Sequence, residues 1–251
     1  EKFPVVYLPN TAVLSSREIE MLRDYVANGG YLLATGLTGL YARPGQQAPL
    51  ATIEDLVGGK FIRPLPDWDN HISLPVSTDN LLSISTEIPP NWPFLIYGPA
   101  AVFELTTAQG YGHLYRPHRT LQQRKGEGNF SLPMSSDEAV GPAVLINDYG
   151  QGKVIYLPCS PDAALASEYR TVEPRLLLRN LIRYLQPNPE VTVEAPSYVE
   201  SVVTTDPSNL VWRIHLVVYF SPPACTGPGR PHANFILPSL IEDLPLYRVK
   251  I

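Results

Sequence analysis

The stretch from Phe3 to Thr35 constrains the fold most, because it reads residue by residue as one β-α-β unit. Phe3-Pro4-Val5-Val6-Tyr7-Leu8-Pro9 is a continuous apolar run that ends at Asn10. Such a run is expected of a strand buried on both faces of a parallel sheet. Ser15-Ser16-Arg17-Glu18 matches the S-x-x-E capping box, with the Ser15 hydroxyl accepting from the first turn and Glu18 reaching back to the cap. Leu14 and Ile19 stand where a hydrophobic staple would. Ile19, Leu22 and Val26 give the helix an apolar face, and Arg17, Glu20 and Arg23 a polar one. Asn28-Gly29-Gly30 stops it, since glycine enters the left-handed region at no steric cost. Tyr31-Leu32-Leu33-Ala34-Thr35 is then the second buried strand, and the crossover should be right-handed.

Ligands in open α/β sheets bind outside the carboxyl ends of the strands. That rule directs attention to Asn10-Thr11 after the first strand and to the loop Leu37–Gly45 after the second, with Thr38, Gly39 and Tyr41 as candidate ligand contacts. The alternative is that Thr38 and Gly39 only form a turn. Ala51–Val57 reads as a short helix closed by Gly58-Gly59, and this Gly-Gly follows a helix with no Lys-Ser/Thr after it, so it is no phosphate loop.

Residues 60–95 are proline-rich, with short strands expected at Phe61-Ile62 and His71–Leu74 and a rigid loop at Pro89–Pro93. Phe94–Tyr97 and Ala101–Leu105 read as strands about Gly98-Pro99. Residues 110–137 gather His113, Arg116, His118, Arg119, Arg124 and Lys125, and read as a solvated loop or as an anion or partner surface. Ala143–Tyr149 and Lys153–Pro158 flank Gly150-Gln151-Gly152 as a hairpin, which makes that part of the sheet mixed. Pro174 near a first turn opens a helix whose apolar face is Leu176, Leu177, Ile182, Tyr184 and Leu185.

Gln186-Pro187-Asn188-Pro189 is the candidate linker. Beyond it the texture turns β-rich, with strands expected at Val191–Ala195, Val199–Thr204, Leu210–Phe220 and Leu246–Ile251, and a turn at Thr205–Asn209. The expected organisation is a flavodoxin-like α/β domain over residues 1–187, with a mainly parallel sheet and flanking helices. A small antiparallel β domain over 188–251 follows, its last strand cut off or finished at the chain end.

A formal net charge of −5 argues against nucleic acid, which calls for clustered Lys and Arg. No apolar run reaches the ~20 residues of a membrane helix. The chain opens on Glu1-Lys2 with neither an initiator Met nor a signal peptide, and is read as a fragment of a longer protein whose compartment is not legible. Its two cysteines, Cys159 and Cys225, fall in different expected domains, so a disulfide between them is not expected.

The search for chemistry returns little. Leu157-Pro158-Cys159-Ser160-Pro161 is the nearest approach to a nucleophile elbow, but prolines replace the glycines and no base is apparent. Glu54, Asp55, Glu104, Asp148 and Asp162 are available carboxylates, and sequence cannot place two of them at the roughly 5–10 Å a glycosidase pair requires. Asp67, Asp69 and His71 resemble a D-x-D-x-H metal cluster in a loop; solvated loop acids are the commoner explanation. No metal and no cofactor are assigned. Asn129-Phe130-Ser131 is a glycosylation sequon that matters only in a secreted protein.

Three segments together carry a resemblance. Val5–Asn10 with Leu14-Ser15 and Tyr25–Gly30 resembles the opening of the β-galactosidase trimerisation domain. Gly141–Val144 through Tyr149–Tyr156, with the closing helix Arg175–Leu185, resembles its later part. Val191–Tyr219 is similar to the β-rich piece that follows such domains in glycoside hydrolases. The resemblance implies a fold like that of class I glutamine amidotransferases without their catalytic apparatus. It also implies a domain that follows a catalytic (β/α)8 barrel and mediates subunit contacts. Glycosidic cleavage belongs to that barrel, and the glycine-rich elbow of the amidotransferase cysteine does not occur here, so no catalytic residue is carried over.

The expected function is therefore a non-catalytic assembly domain, partnered by further copies of itself or by the barrel of the same polypeptide. One rival is a carbohydrate or small-ligand module at Asn10, Thr11, Thr38, Gly39 and Tyr41, with Trp92 or Tyr97 stacking on a sugar ring. Another is an amidotransferase-like or hydrolytic enzyme using Cys159.

Overall fold

The computed structural model describes residues 3–46, 53–76, 82–127, 133–165, 171–189, 191–195, 199–206, 208 and 211–218. The sequon at Asn129, Cys225 and the expected strand Leu246–Ile251 lie outside the described residues.

The β-α-β unit forms as its sequence requires. Strand β1 (Val5–Leu8) and strand β2 (Tyr31–Thr35) pair in parallel, Val5 opposite Tyr31 and Leu8 opposite Ala34. Helix α1 (Ser16–Ala27) connects them. Its capping box is complete: the Ser15 side chain accepts from the Glu18 N–H, and the Glu18 carboxylate accepts from the Ser15 N–H at 2.7 Å. Leu14 and Ile19 are both buried, as a staple requires.

The chain continues through α2 (Glu54–Val57), β3 (Gly59–Leu65), β4 (Asp69–Ser73), a 3-10 turn (Leu82–Ser85), β5 (Phe94–Tyr97), β6 (Ala100–Leu105) and β7 (Gln109–Pro117). Then come α3 (Leu121–Gly126), β8 (Ser135–Tyr149), β9 (Gly152–Leu157), α4 (Pro161–Leu165) and α5 (Glu173–Leu185). A seven-stranded sheet runs in the order β1-β2-β9-β8-β7-β4-β5. The first three strands are parallel, and β8, β7, β4 and β5 continue it by antiparallel pairing. The architecture is α/β with a mixed sheet, and β3 pairs separately with β6.

The hairpin between β8 and β9 is the one read from Gly150-Gln151-Gly152, closing on the pair Tyr149–Gly152. Gly150 is required twice over. Its φ is +59°, and a Cβ there would stand 2.6 Å from the Cα of Ala27. This glycine therefore sets how closely the hairpin packs on the end of α1.

Each face of the sheet carries its own core. On one, Leu33, Ile146, Ile155 and Leu157 pack with Leu177, Leu181 and Leu185 of α5. On the other, Leu32, Ala34, Val154 and Tyr156 pack with Ile19 and Val26 of α1 and Leu56 of α2. A fully buried Leu or Ile contributes about 1.5–3 kcal/mol, so these two layers hold the unit together. Asn180 fastens α5 to the 3-10 turn, its amide donating to the carbonyls of Ile84 and Thr86 at 3.1 and 2.8 Å.

Three expectations need correction. All four residues of β1 are half-buried rather than fully buried, because β1 is the outermost strand of the sheet. Residues 110–137 do not read out as a solvated loop: β7, α3 and the start of β8 occupy much of this span. Val191–Ala195 forms no strand and carries only an isolated bridge position at Glu194.

The contacts divide the chain into two compact units, 1–187 and 188–251. Within the second, β10 (Val199–Asp206) and β11 (Val211–Val218) form an antiparallel ribbon with Asp206 opposite Val211. In the turn, the Asp206 carboxylate accepts from the Ser208 N–H at 3.1 Å. Among the described residues no helix is long and apolar enough to cross a membrane.

Candidate functional site

The carboxyl ends of β1, β2 and β9 converge on Asn10, Thr35–Gly39 and Leu157–Asp162. Asn10 adopts φ +43°, a left-handed conformation that Asn tolerates because its short amide bonds locally. Its backbone N–H donates to Thr35 Oγ1 at 3.0 Å, and its Oδ1 accepts from the Leu37 N–H at 2.9 Å. Thr35 Oγ1 in turn donates to Asp162 Oδ1 at 3.0 Å.

Next to this chain of bonds, the Thr11 N–H donates to Thr38 Oγ1 at 2.9 Å, and that hydroxyl donates to the Thr35 carbonyl at 2.7 Å. Gly39 N–H donates to the Thr11 carbonyl and Tyr41 N–H to that of Ala12, each within 3.1 Å. Of the candidate contacts, Asn10, Thr11, Thr38, Gly39 and Tyr41 are thus brought into one two-loop unit. Most of their polar groups already serve each other.

Gly36 sits at the centre. Its N–H is shared between the carbonyls of Leu157 and Cys159 at 2.9 and 2.8 Å, and its carbonyl accepts from the Tyr156 hydroxyl at 2.6 Å. With φ +64°, a Cβ there would stand 2.4 Å from Asn10 Oδ1 and 2.5 Å from Ser160 Oγ. Ser160 Oγ itself donates to the Pro99 carbonyl at 2.8 Å.

Cys159 is fully buried, and burial first, then the Asp162 charge, push its thiol well above the usual thiol range. Both effects oppose the thiolate a nucleophile needs. The Tyr7 hydroxyl is buried beside Thr35, whose side chain works against the rise in its pKa. Burial, then the charge of Asp162, push its pKa up to about 12.

Two aromatics stand at this same end. Tyr97 closes β5, and its ring packs edge-on against Trp68 with centroids 5.9 Å apart at 66°. Gly98, next to it, lies against the Cβ atoms of Ser160 and Ala163, which brings the pair alongside α4. Trp68 is 52% exposed. Trp92 is exposed too, but it lies before the opposite end of β5, away from Tyr97. Sequence reasoning passed over Trp68 and Tyr7; the only signal for the first was an aromatic residue between Asp67 and Asp69.

A separate polar cluster is buried at β4, where Asp69, Asn70, His71 and Ser73 are all enclosed. Asp69 belongs to a strand and pairs with Arg124 of α3, so neither the loop metal site nor the solvated acids describe it. Among the described residues no group of three or more His, Cys, Asp or Glu is placed to hold a metal ion. Burial drives the His71 imidazole down to about 4, against the pull of the Pro133 and Asp69 carbonyls. It is therefore neutral at pH 7.

No family model matches the sequence, and no curated protein matches it. Solved structures do match. An α-L-fucosidase isoenzyme 2 from Paenibacillus thiaminolyticus aligns with a TM-score of 0.63 and 19% identity over 88% of this chain and 31% of that one. A β-galactosidase from Rahnella sp. R3 gives 0.53 and 18% over 81% and 26% of the two chains. A GH42 β-galactosidase from G. stearothermophilus gives 0.52 and 18% over 82% and 25%. The chain spans a quarter to a third of the length of these structures, and at such identities the likeness is one of fold. It has the fold of a region found within glycoside hydrolases.

Proposed function

We propose that this chain is a non-catalytic, trimerisation-like assembly region of a larger carbohydrate-active hydrolase. The observation that carries the reading is the closed carboxyl end of the parallel strands. Asn10, Thr35 and Thr38 stand where an open α/β sheet presents its ligand groups, yet they hydrogen-bond to one another and to Asp162, Leu37 and Thr11. The thiol described at this end, that of Cys159, is sealed and disfavoured as an anion. The fold neighbours supply the context, since the chain matches only part of each hydrolase. Light scattering across a concentration series tests the reading: a defined oligomer is expected, and a monomer at every concentration overturns it.

A carbohydrate-binding reading rests on a different observation, the half-exposed Trp68 packed edge-on against Tyr97 at the Asp162 end of the sheet. An aromatic face covers the C–H surface of a sugar while a nearby carboxylate takes its hydroxyls. Calorimetry against galactosides and a panel of oligosaccharides at millimolar concentration is the test. Heat lost on Trp68→Ala supports this reading, and no heat with the wild-type chain ends it.

A further inference from the structure

Trp68 stands half-exposed in a turn that is fastened at three points. The turn Asp67-Trp68-Asp69-Asn70 leads from β3 into β4. The Asn70 amide donates from Nδ2 back to the Asp67 carbonyl and closes the turn across Trp68. The Trp68 carbonyl accepts from the Gly98 N–H at 2.9 Å, and the next side chain, Asp69, is held by Arg124. Tyr97 backs the indole edge-on.

Stability does not account for this arrangement. Asn70 is completely buried opposite Ile96 of β5, yet its Oδ1 has no hydrogen-bond partner among the described residues. A leucine of nearly the same shape would bury there without an unmet acceptor. A buried ion pair is weak grounds for stability, and an exposed indole leaves apolar surface in water. What these features share is that they fix Trp68. A side chain already held in place loses little freedom when a ligand lies on it, and pre-organised sites gain affinity in this way.

We propose that Asn70 is the positioning residue of a platform on which Trp68 receives one pyranose ring. The proposal rests on the carbohydrate reading and narrows its ligand to one sugar ring rather than an extended chain. Among the described residues of 1–187, the other exposed aromatics are Phe3 and Trp92. Phe3 precedes β1 and Trp92 precedes β5, so both stand at the opposite end of the sheet and neither can seat a second ring beside Trp68. The C–H face of one sugar covers the indole while the hydroxyls around its rim stay in water.

Calorimetry tests this with the methyl glycosides of galactose, glucose, mannose and fucose, and with a linear tetrasaccharide of the sugar that binds best. Methyl glycoside and tetrasaccharide should bind within about threefold of each other, since added rings find no added platform. Asn70→Leu should weaken the methyl glycoside about tenfold. Its melting temperature should stay within about 3 °C of wild type. Asn70→Ala is the second variant, read in the same way. With Trp92 and Trp212 replaced by Phe, Trp68 is the only tryptophan. Its fluorescence anisotropy should then decay faster in Asn70→Leu than in the parent, a change that a merely structural role would not produce. Asn70 variants that bind as wild type does, or a tetrasaccharide bound more than about tenfold tighter than the methyl glycoside, overturn this inference and leave the carbohydrate reading standing. No heat from the wild-type chain with any of the four glycosides overturns both.

Discussion

Arg124 and Asp69 form an ion pair out of reach of solvent. The Nη2 of Arg124, on α3, donates to Oδ2 of Asp69, at the start of β4, and their side chains are 5% and 2% exposed. The two are 55 residues apart in sequence. This pair ties the segment after β7 down onto the sheet.

Removing one member of a buried pair leaves the other charge without its counterion. Arg124→Met or Asp69→Leu should each cost about 3–5 kcal/mol of stability, whereas the double variant should recover most of that loss. Urea unfolding of the four proteins as a double-mutant cycle checks this. Single variants that lose under 1 kcal/mol would show that the pair is solvated.

His71, two residues along β4, makes stability depend on pH. Its folded-state pKa is lowered from the ordinary 6.5 to about 4, so between these values the unfolded chain binds the proton and the folded chain does not. The stabilisation is present above pH 6.5 and is lost as pH falls, with roughly 3 kcal/mol gone by pH 4 and no further change below. His71→Gln should flatten this part of the profile. Equal slopes for variant and wild type in denaturant midpoints from pH 7 to 4 would refute it.

What could be read in the sequence was local. The capping box at Ser15 and Glu18 spans three residues and the β8–β9 hairpin a handful, so their cues sit in adjacent positions. β7 was hidden because its ladder with β8 shifts register between Leu114 and Tyr115 and again before Pro117. Bulges break the alternation by which a strand is recognised. Asp69 read as a loop acid because the partner that allows its burial, Arg124, is remote in the chain.

The candidate site was half legible for the same reason. The rule about carboxyl ends located Asn10, Thr11, Thr38 and Gly39, and they do meet. That they close on one another could not be read, because the bonds that join the two loops span 25 or more residues. The half-exposure of β1 was hidden too: Val5–Leu8 has the composition of an interior strand and stands at an edge.

Gly36 should be the least replaceable residue of the closed end. Gly36→Ala requires φ +64° and places a methyl within 2.5 Å of Asn10 Oδ1 and Ser160 Oγ. Left-handed backbone strain and displacement of both partners together should cost at least ~2 kcal/mol. Gly45→Ala is the control, since its φ is also positive, +75°, but among the described residues nothing lies within 4 Å of the added methyl. Thermal melts in which the two variants fall equally would show that backbone strain alone, and not the packed loop, sets the loss.

Cys159 should behave as a core residue. Its thiol is enclosed, and both its surroundings and Asp162 disfavour the thiolate, which is the species that reacts. In a Cys225→Ser background, where Cys159 is the only thiol, a disulfide reagent at pH 8 should modify the folded chain far more slowly than the chain in urea. The native rate should also rise with subdenaturing urea, because reaction must wait for opening. Labelling of the native chain at the rate of a free thiol would mean that the carboxyl end is open in solution. The argument that sets Cys159 aside as a nucleophile would then fail with it.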